Sequence, residues 1–191
     1  MGRLIRVAWA ATGLVILALQ LVDIIQFDNR LRHLTNWAFL LHASVCFIKA
    51  SGLPAIESMV LAWAVSMFVA VGITAITIMD NTMINNFTEE MGSALVWAGN
   101  IAMHYVPPLA WLMVMATRKN RSNIRAYLKE LESIPVTLMQ INTPAVLFIL
   151  SYSSVFNPSM EYEGDGINYY TVFGSGISAV LLSGAVLLSL P

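Results

Sequence analysis

The chain has 191 residues, of which 58% are hydrophobic and 11% are charged. Soluble domains carry about 25% charged residues, so too little charge remains here to solvate a water-soluble globule. The net charge is −1 and the basic residues are not gathered on one soluble face, so the sequence predicts no nucleic-acid partner. The single cysteine, Cys46, excludes an internal disulfide framework.

Six apolar segments approach the length of about 20 residues that a helix needs to cross the hydrocarbon core of a bilayer. In chain order they are residues 7–27, 34–50, 58–79, 91–117, 136–156 and 169–190. Arg3 and Arg6 precede the first segment as in a signal peptide, but the segment is long enough to span and no cleavage site follows. The sequence therefore predicts an all-α protein, a single transmembrane domain over residues 1–191 with six transmembrane helices.

The orientation of these helices follows from the basic residues of the loops, which collect on the inner side of a membrane. With the N-terminus inside, eight of the ten lysines and arginines lie on the inner side. These are Arg3, Arg6, Lys49, Arg118, Lys119, Arg121, Arg125 and Lys129, against Arg30 and Arg32 outside. We therefore predict an integral membrane protein with both termini on the cytoplasmic or organelle-interior side.

The longest inner loop, residues 118–133, allows two structures. Its apolar residues are spaced so that a short amphipathic helix could lie on the membrane surface. A solvated basic loop would have the same composition, and the sequence leaves both alternatives open.

Two histidines lie midway along predicted spans, where an ionisable group is costly and is by default a functional candidate. His42 is in the second helix and His104 in the fourth. Asn100 lies four residues before His104, on the same helical face, and could orient the imidazole. Pro107 and Pro108 leave the carbonyls of Met103 and His104 without their helical donors, so we expect a kink beside His104.

Two further features concern helix ends and helix packing. Thr35 stands at the start of the second helix, where its hydroxyl could cap a free amide. The sixth helix is rich in small residues, which permit the close approach that holds helices together in lipid. We expect Gly174, Ser178 and Gly184 to pack on another helix of this chain or of a membrane protein partner.

Three short motifs resemble the androgen-induced family of six-helix membrane hydrolases, which includes the androgen-dependent regulator of tissue-factor inhibitor. They are Leu34-Thr35 at the start of the second helix, Asn100-x-x-Met103-His104 followed by proline, and Asp80 at the end of the third helix. Helix number, order and orientation are also similar. The aromatic stretch that the family has after the fifth helix is only loosely matched by residues 156–162.

The resemblance implies hydrolysis of fatty acid esters of hydroxy fatty acids in the membrane. Thr35 is then the nucleophile, His104 its base and Asn100 a supporting residue, with no cofactor and no metal. Straight helices would separate the pair, because Thr35 lies at an outer helix end and His104 about 20 Å deeper. The scheme assigns His42 no part in catalysis, so His42→Ala is expected to leave most activity.

Two other functions remain open from the residues. The chain could be a non-catalytic accessory subunit of a larger membrane complex, such as a respiratory-type assembly. It could also be a haem protein with His42 and His104, at similar predicted depth, as axial ligands. Membrane lipids are expected partners in each case.

The charge asymmetry makes a direct prediction about topology. Single cysteines introduced at Gly2 and Ser122 should be labelled by a membrane-impermeant maleimide from one side of sealed vesicles. A cysteine at Asn86 should be labelled only from the other side, because basic loops remain on the inner side of the membrane. Equal labelling of positions 86 and 122 from the same side would contradict this orientation.

Overall fold

The computed structural model of the chain describes residues 2–26, 34–79, 85, 89, 92–129, 134–156 and 169–189, and the regular elements in these ranges are helices. The helices are α1 (Arg3–Gln26), α2 (Leu34–Ser51), α3 (Ile56–Met79), α4 (Ser93–Asn100), α5 (Val106–Met115), α6 (Arg118–Lys129), α7 (Ile134–Phe156) and α8 (Tyr169–Ser189). A wide, π-helical turn, Ile101–Tyr105, joins α4 to α5 in one rod.

Helices lie at all six positions where the sequence predicts apolar spans. Three of them are long and apolar enough to cross a membrane, namely Arg3–Leu21, Ile56–Met79 and Tyr170–Leu187. The shorter apolar stretch Ile141–Val155 lies in α7. The chain is thus a helical membrane protein. Asp80, Asn86 and residues 157–162, which entered the predictions above, lie outside the described residues.

The centre of the bundle is α3, which packs on α2, α5, α7 and α8. It is apolar around its whole circumference, as expected of a helix that is enclosed on all sides. Met59, Ala62, Ala64 and Val65 are fully buried. Both clusters of buried apolar side chains draw their largest share from α3, so this helix positions its neighbours.

The first helix lies at the periphery and packs mainly on α2. Gly13 permits this contact, since a Cβ there would lie 3.1 Å from the Phe47 ring and 3.2 Å from Cys46. The opposite face of α1 exposes Leu4, Val7, Leu14, Val15 and Leu19. An apolar face of this size would be costly in water but is ordinary against lipid.

The segment after α5 is a helix, so the amphipathic alternative is confirmed for residues 118–129. Ile124 is buried in the same cluster as Met115, while Arg118 and Lys119 are exposed. Burial raises the pKa of Tyr127, and the nearby carboxylate of Glu57 acts in the same direction. This helix therefore lies against the beginning of α3, with Arg118 and Lys119 outward.

The small residues of α8 pack only in part as predicted. Gly176 lies against the ring of Phe68 of α3, and Gly184 lies against Asn142 of α7. Gly174 and Ser178 do not pack on another described helix of this chain, since both are exposed, with open space around the Gly174 Cα. Their packing on a helix of a partner stays a prediction. Small residues occur on both faces of this helix, so composition alone could not select the packed one.

Gly176 offers a test of this packing. A Cβ there would lie 2.6 Å from two ring carbons of Phe68, which is buried. Gly176→Ala should lower the free energy of unfolding by about 1–3 kcal/mol, a typical cost of overpacking. The measurement is thermal unfolding of the purified protein in detergent. The control is Gly174→Ala on the same helix, which meets nothing and should be neutral; equal effects of both variants would contradict the contact.

Candidate functional site

The site lies on a seam between α2 and the α4–α5 rod. Two contacts join the helices along this seam, Thr35 to His104 and His42 to Trp111. Each pair is 69 residues apart in sequence, and the second lies seven residues further along both helices. The two helices therefore run parallel, and the contacts are two turns, or about 10 Å, apart along the seam.

The wide turn beside the site has a local cause in Pro107 and Pro108. Neither proline can donate a backbone hydrogen bond, and the ring of each crowds the carbonyl four residues earlier. The chain widens instead, so that the Val106 amide bonds to the carbonyl of Ile101, five residues back. Such single π-turns occur frequently at functional sites. The kink predicted beside His104 takes this form.

The wide turn determines how His104 is held. Its Nδ1 lies 3.0 Å from the backbone carbonyl oxygen of Asn100. A carbonyl can only accept, so Nδ1 carries the proton and donates it. In the neutral imidazole, Nε2 is then left as the acceptor. The backbone thus selects one tautomer and points its lone pair away from α4.

The Nε2 lone pair of His104 faces the hydroxyl of Thr35, and the two atoms are 3.4 Å apart. With this tautomer, the hydroxyl of Thr35 is the donor and Nε2 the acceptor. The distance is long for a hydrogen bond, but nucleophile–base contacts are often loose before substrate binds. The Thr35 hydroxyl, the His104 ring and the Asn100 carbonyl therefore form one line of contacts, which is the arrangement that a nucleophile, its base and an orienting group require.

A second hydrogen-bonded pair anchors the wide turn to the central helix. The Tyr105 hydroxyl lies 2.7 Å from Oγ1 of Thr74, and Thr74 in turn donates to the carbonyl of Ala70 at 2.7 Å. A threonine hydroxyl has one proton, so Tyr105 must be the donor in its pair. The residue after His104 is thereby held on α3.

Two of the predicted local roles were wrong in detail. Thr35 is not an N-cap, because Leu34 before it is already helical. Asn100 orients His104 through its backbone carbonyl and not through its side chain. The spacing of four residues predicted the contact but could not distinguish the amide from the carbonyl of the same residue.

The expected separation of Thr35 and His104 was also wrong. It assumed that both helices start at one level. Instead, the described part of α2 starts level with His104, which lies eleven residues, about 16 Å, along from the start of α4. The depth of one helix relative to another depends on packing, which no single helix sequence records.

The two histidines do not face each other. His42 Nδ1 accepts a hydrogen bond from the indole Nε1 of Trp111 at 2.7 Å, two turns along the seam from His104. Axial ligands must approach one iron from opposite sides at one level, and this pair does not. Across the part of the chain that the structure describes, no group of three or more His, Cys, Asp or Glu residues could hold a metal ion.

Tyr105, Thr74 and Trp111 were not among the residues predicted from the sequence. A signal for Trp111 existed, since the spacing from His104 to Trp111 equals that from Thr35 to His42. It becomes visible only when the two helices are known to be neighbours.

Comparisons of the chain with protein-family models, with curated proteins and with solved structures found no match.

The tautomer of His104 can be measured directly. In protein labelled with ¹⁵N-histidine, Asn100→Ala should leave the Nδ1 resonance of His104 in its protonated position, because the alanine keeps the carbonyl. Thr35→Val should shift only Nε2, which loses its donor. His104→Gln assigns the signals. Loss of the Nδ1 pattern in Asn100→Ala would show that the side chain, and not the backbone, holds the ring.

Proposed function

We propose that this chain is a membrane-embedded lipid-ester hydrolase in which Thr35 is the nucleophile and His104 the general base. One observation carries the proposal, which is the contact between the Thr35 hydroxyl and the unprotonated Nε2 of His104. A threonine hydroxyl is a weak nucleophile and needs an adjacent base that is itself oriented by a third group. The same two residues are those that the resemblance to the androgen-induced hydrolases implies.

In the first half of the reaction the ester is cleaved. Oγ1 of Thr35 attacks the ester carbonyl carbon while its proton passes to Nε2 of His104. The tetrahedral intermediate collapses, and the carbon–oxygen bond to the alcohol breaks. The departing alcohol oxygen takes the proton from Nε2, which leaves the acyl group on Thr35. For a fatty acid ester of a hydroxy fatty acid, this alcohol is the hydroxy fatty acid.

Water completes the reaction. His104 takes a proton from a water molecule as its oxygen attacks the acyl carbonyl. The bond between the acyl carbon and Oγ1 then breaks, Oγ1 recovers the proton from Nε2, and the fatty acid leaves. Thr35 and His104 are only half-buried, so the pair can be reached from outside the bundle.

A lipid can approach the pair from the side. Trp97 and Ile101 precede His104 by seven and three residues, on the same helical face. They are 46% and 51% exposed, and Val106 beyond the turn is also exposed. An apolar surface beside the nucleophile suits an acyl chain that arrives within the bilayer and brings its ester to Thr35.

The proposal includes the six-helix topology. The helices of the bundle cross the membrane six times, with α4 and α5 counted as one rod, and both termini lie on the cytoplasmic or organelle-interior side. The basic helix α6 lies on that same side. In this arrangement α2 and the α4–α5 rod both run from the outer to the inner face, in agreement with their parallel contacts.

Substitution of the pair tests the proposal. With the purified chain in lipid nanodiscs and a long-chain ester of a hydroxy fatty acid as substrate, Thr35→Ala and His104→Ala should each lower turnover at least about a thousandfold, because a nucleophile and its base act as a unit. The double variant should be no worse. Thr35→Ser, which keeps a hydroxyl, should retain part of the activity.

The matched control is Thr12→Ala. Thr12 is an exposed threonine of α1 whose hydroxyl bonds only to the carbonyl of its own helix, at Ala8. It should keep wild-type turnover. Wild-type rates in Thr35→Ala would remove Thr35 from the mechanism.

A second candidate is a non-catalytic accessory subunit of a membrane complex. The exposed small residues Gly174 and Ser178 of α8 favour it, since such residues let another helix approach closely in lipid. This function predicts no ester turnover by the purified chain and loss of complex assembly in Gly174→Leu. The hydrolase predicts turnover that Gly174→Leu leaves unchanged.

A further inference from the structure

We infer that the hydrogen bond between Trp111 and His42 is a positioning contact, which holds α2 and α5 in the register that brings Thr35 to His104. The inference rests on the proposed function for its effect on catalysis. The contact itself can be tested without any turnover.

The two contacts between α2 and the α4–α5 rod share one register. Thr35 and His42 are seven residues apart on α2, and His104 and Trp111 are seven apart on the α4–α5 rod. Seven residues return a helix to the same face. A slip of one residue between parallel helices would shift both contacts by about 1.5 Å and turn both side chains by about 100°. The two contacts therefore form together or fail together.

The contact between Trp111 and His42 is shorter and more buried than the contact between Thr35 and His104. The distance from Trp111 Nε1 to His42 Nδ1 is 2.7 Å, against 3.4 Å from Thr35 Oγ1 to His104 Nε2. His42 is 3% exposed and Trp111 is 5% exposed, whereas Thr35 and His104 are half-buried. A buried polar group left without its partner is costly, so a slipped register is penalised at the contact between His42 and Trp111.

The ring of Trp111 is itself held in place by neighbouring side chains. Its ring stacks on Trp9 of α1, with ring centroids 6.1 Å apart and planes within 6°. The ammonium of Lys49 lies 5.2 Å from the centre of the Trp9 ring and bonds to the sulfur of Met59. Within α2, the rings of Phe39 and His42 pack nearly perpendicular to each other. The indole of Trp111 therefore has a defined orientation, and the direction in which its N–H donates is fixed.

Apolar contacts alone would specify this register poorly. The buried apolar positions of α2 are Ala38, Ala43, Val45 and Cys46, which are all small, and Cys46 lies against Gly13 of α1. Similar shapes can repack after a slip at little cost, whereas a single buried polar pair selects one alignment, as it does in coiled coils. His42 and Trp111 supply that selection here.

Three variants separate the hydrogen bond from packing. His42→Leu removes the acceptor and keeps the volume, and Trp111→Phe removes the donor and keeps an aromatic ring on Trp9. His42→Asn restores an acceptor, because its amide oxygen occupies the position of Nδ1. The control is Cys46→Ala, which removes buried packing from α2 without a polar contact.

The first measurement is the ¹⁵N spectrum of His104 in full-length protein. In His42→Leu and Trp111→Phe the Nε2 resonance should move to the position that it has in Thr35→Val. It should return in His42→Asn and stay unchanged in Cys46→Ala. If His42→Leu fails to fold, Trp111→Phe and His42→Asn carry the same comparison. An unmoved Nε2 resonance in folded Trp111→Phe or His42→Leu would overturn the inference.

The second measurement is turnover of the lipid ester. The two variants that lose the hydrogen bond should lower kcat by about 100-fold, as expected for a misplacement near 1 Å, with KM unchanged. This revises the expectation from sequence that His42→Ala leaves most activity. If the Nε2 resonance of His104 moves in these variants but the wild type turns over no ester, the positioning contact is supported and the hydrolase function is contradicted. If Thr35→Ala abolishes turnover while Trp111→Phe changes neither kcat nor the resonance, the hydrolase stands and the positioning contact falls.

Discussion

The packing of α2 and of the α4–α5 rod against the central helix α3 fixes how these two helices align with each other. A helix that is apolar on every side must be surrounded, and α3 is surrounded by four neighbours. Both α2 and the α4–α5 rod run antiparallel to it, so they are parallel to each other. Only parallel neighbours can repeat a contact at the same sequence offset, as Thr35 with His104 and His42 with Trp111 do.

The second constraint is the shortage of backbone donors beside His104. Pro107 and Pro108, adjacent in the α4–α5 rod, have no backbone N–H to donate to earlier carbonyls. The helix widens into a turn in which the Val106 amide bonds to the carbonyl of Ile101, and the Asn100 carbonyl accepts from the His104 ring. The same turn thus orients the His104 ring, and the Tyr105 hydroxyl bonds the turn to Thr74.

The seam divides into two parts with different exposure. The pair His42–Trp111 is buried and has a short hydrogen bond, whereas the pair Thr35–His104 is half-buried and has a longer one. Under the proposed function this division suits chemistry, because a nucleophile must be reached by substrate and by water, whereas a positioning contact works best where neither enters. The proposed site, which is open, would then be kept in register by a contact that is closed.

Much of the local structure was predictable from the sequence. The apolar lengths predicted where helices occur, the spacing of residues 118–129 allowed an amphipathic helix, and Pro107 with Pro108 predicted a disturbance beside His104. His104, with Asn100 beside it, was selected because ionisable residues within apolar helices are costly and are functional candidates by default. These inferences use only the properties of one segment, whereas Thr35 became a candidate nucleophile only through the resemblance to the androgen-induced hydrolases.

The properties of single segments were enough to predict a helical membrane protein, the positions of its helices and the polar residues Asn100 and His104. Contacts between segments were needed to show that the described part of α2 starts level with His104, that Trp111 bonds to His42, and that Gly176 packs on α3 while Gly174 does not. Lengths, prolines and polar residues act within a segment. Relative depth, register and the choice of packed face arise from contacts between segments, whose small apolar residues fit several alignments almost equally well.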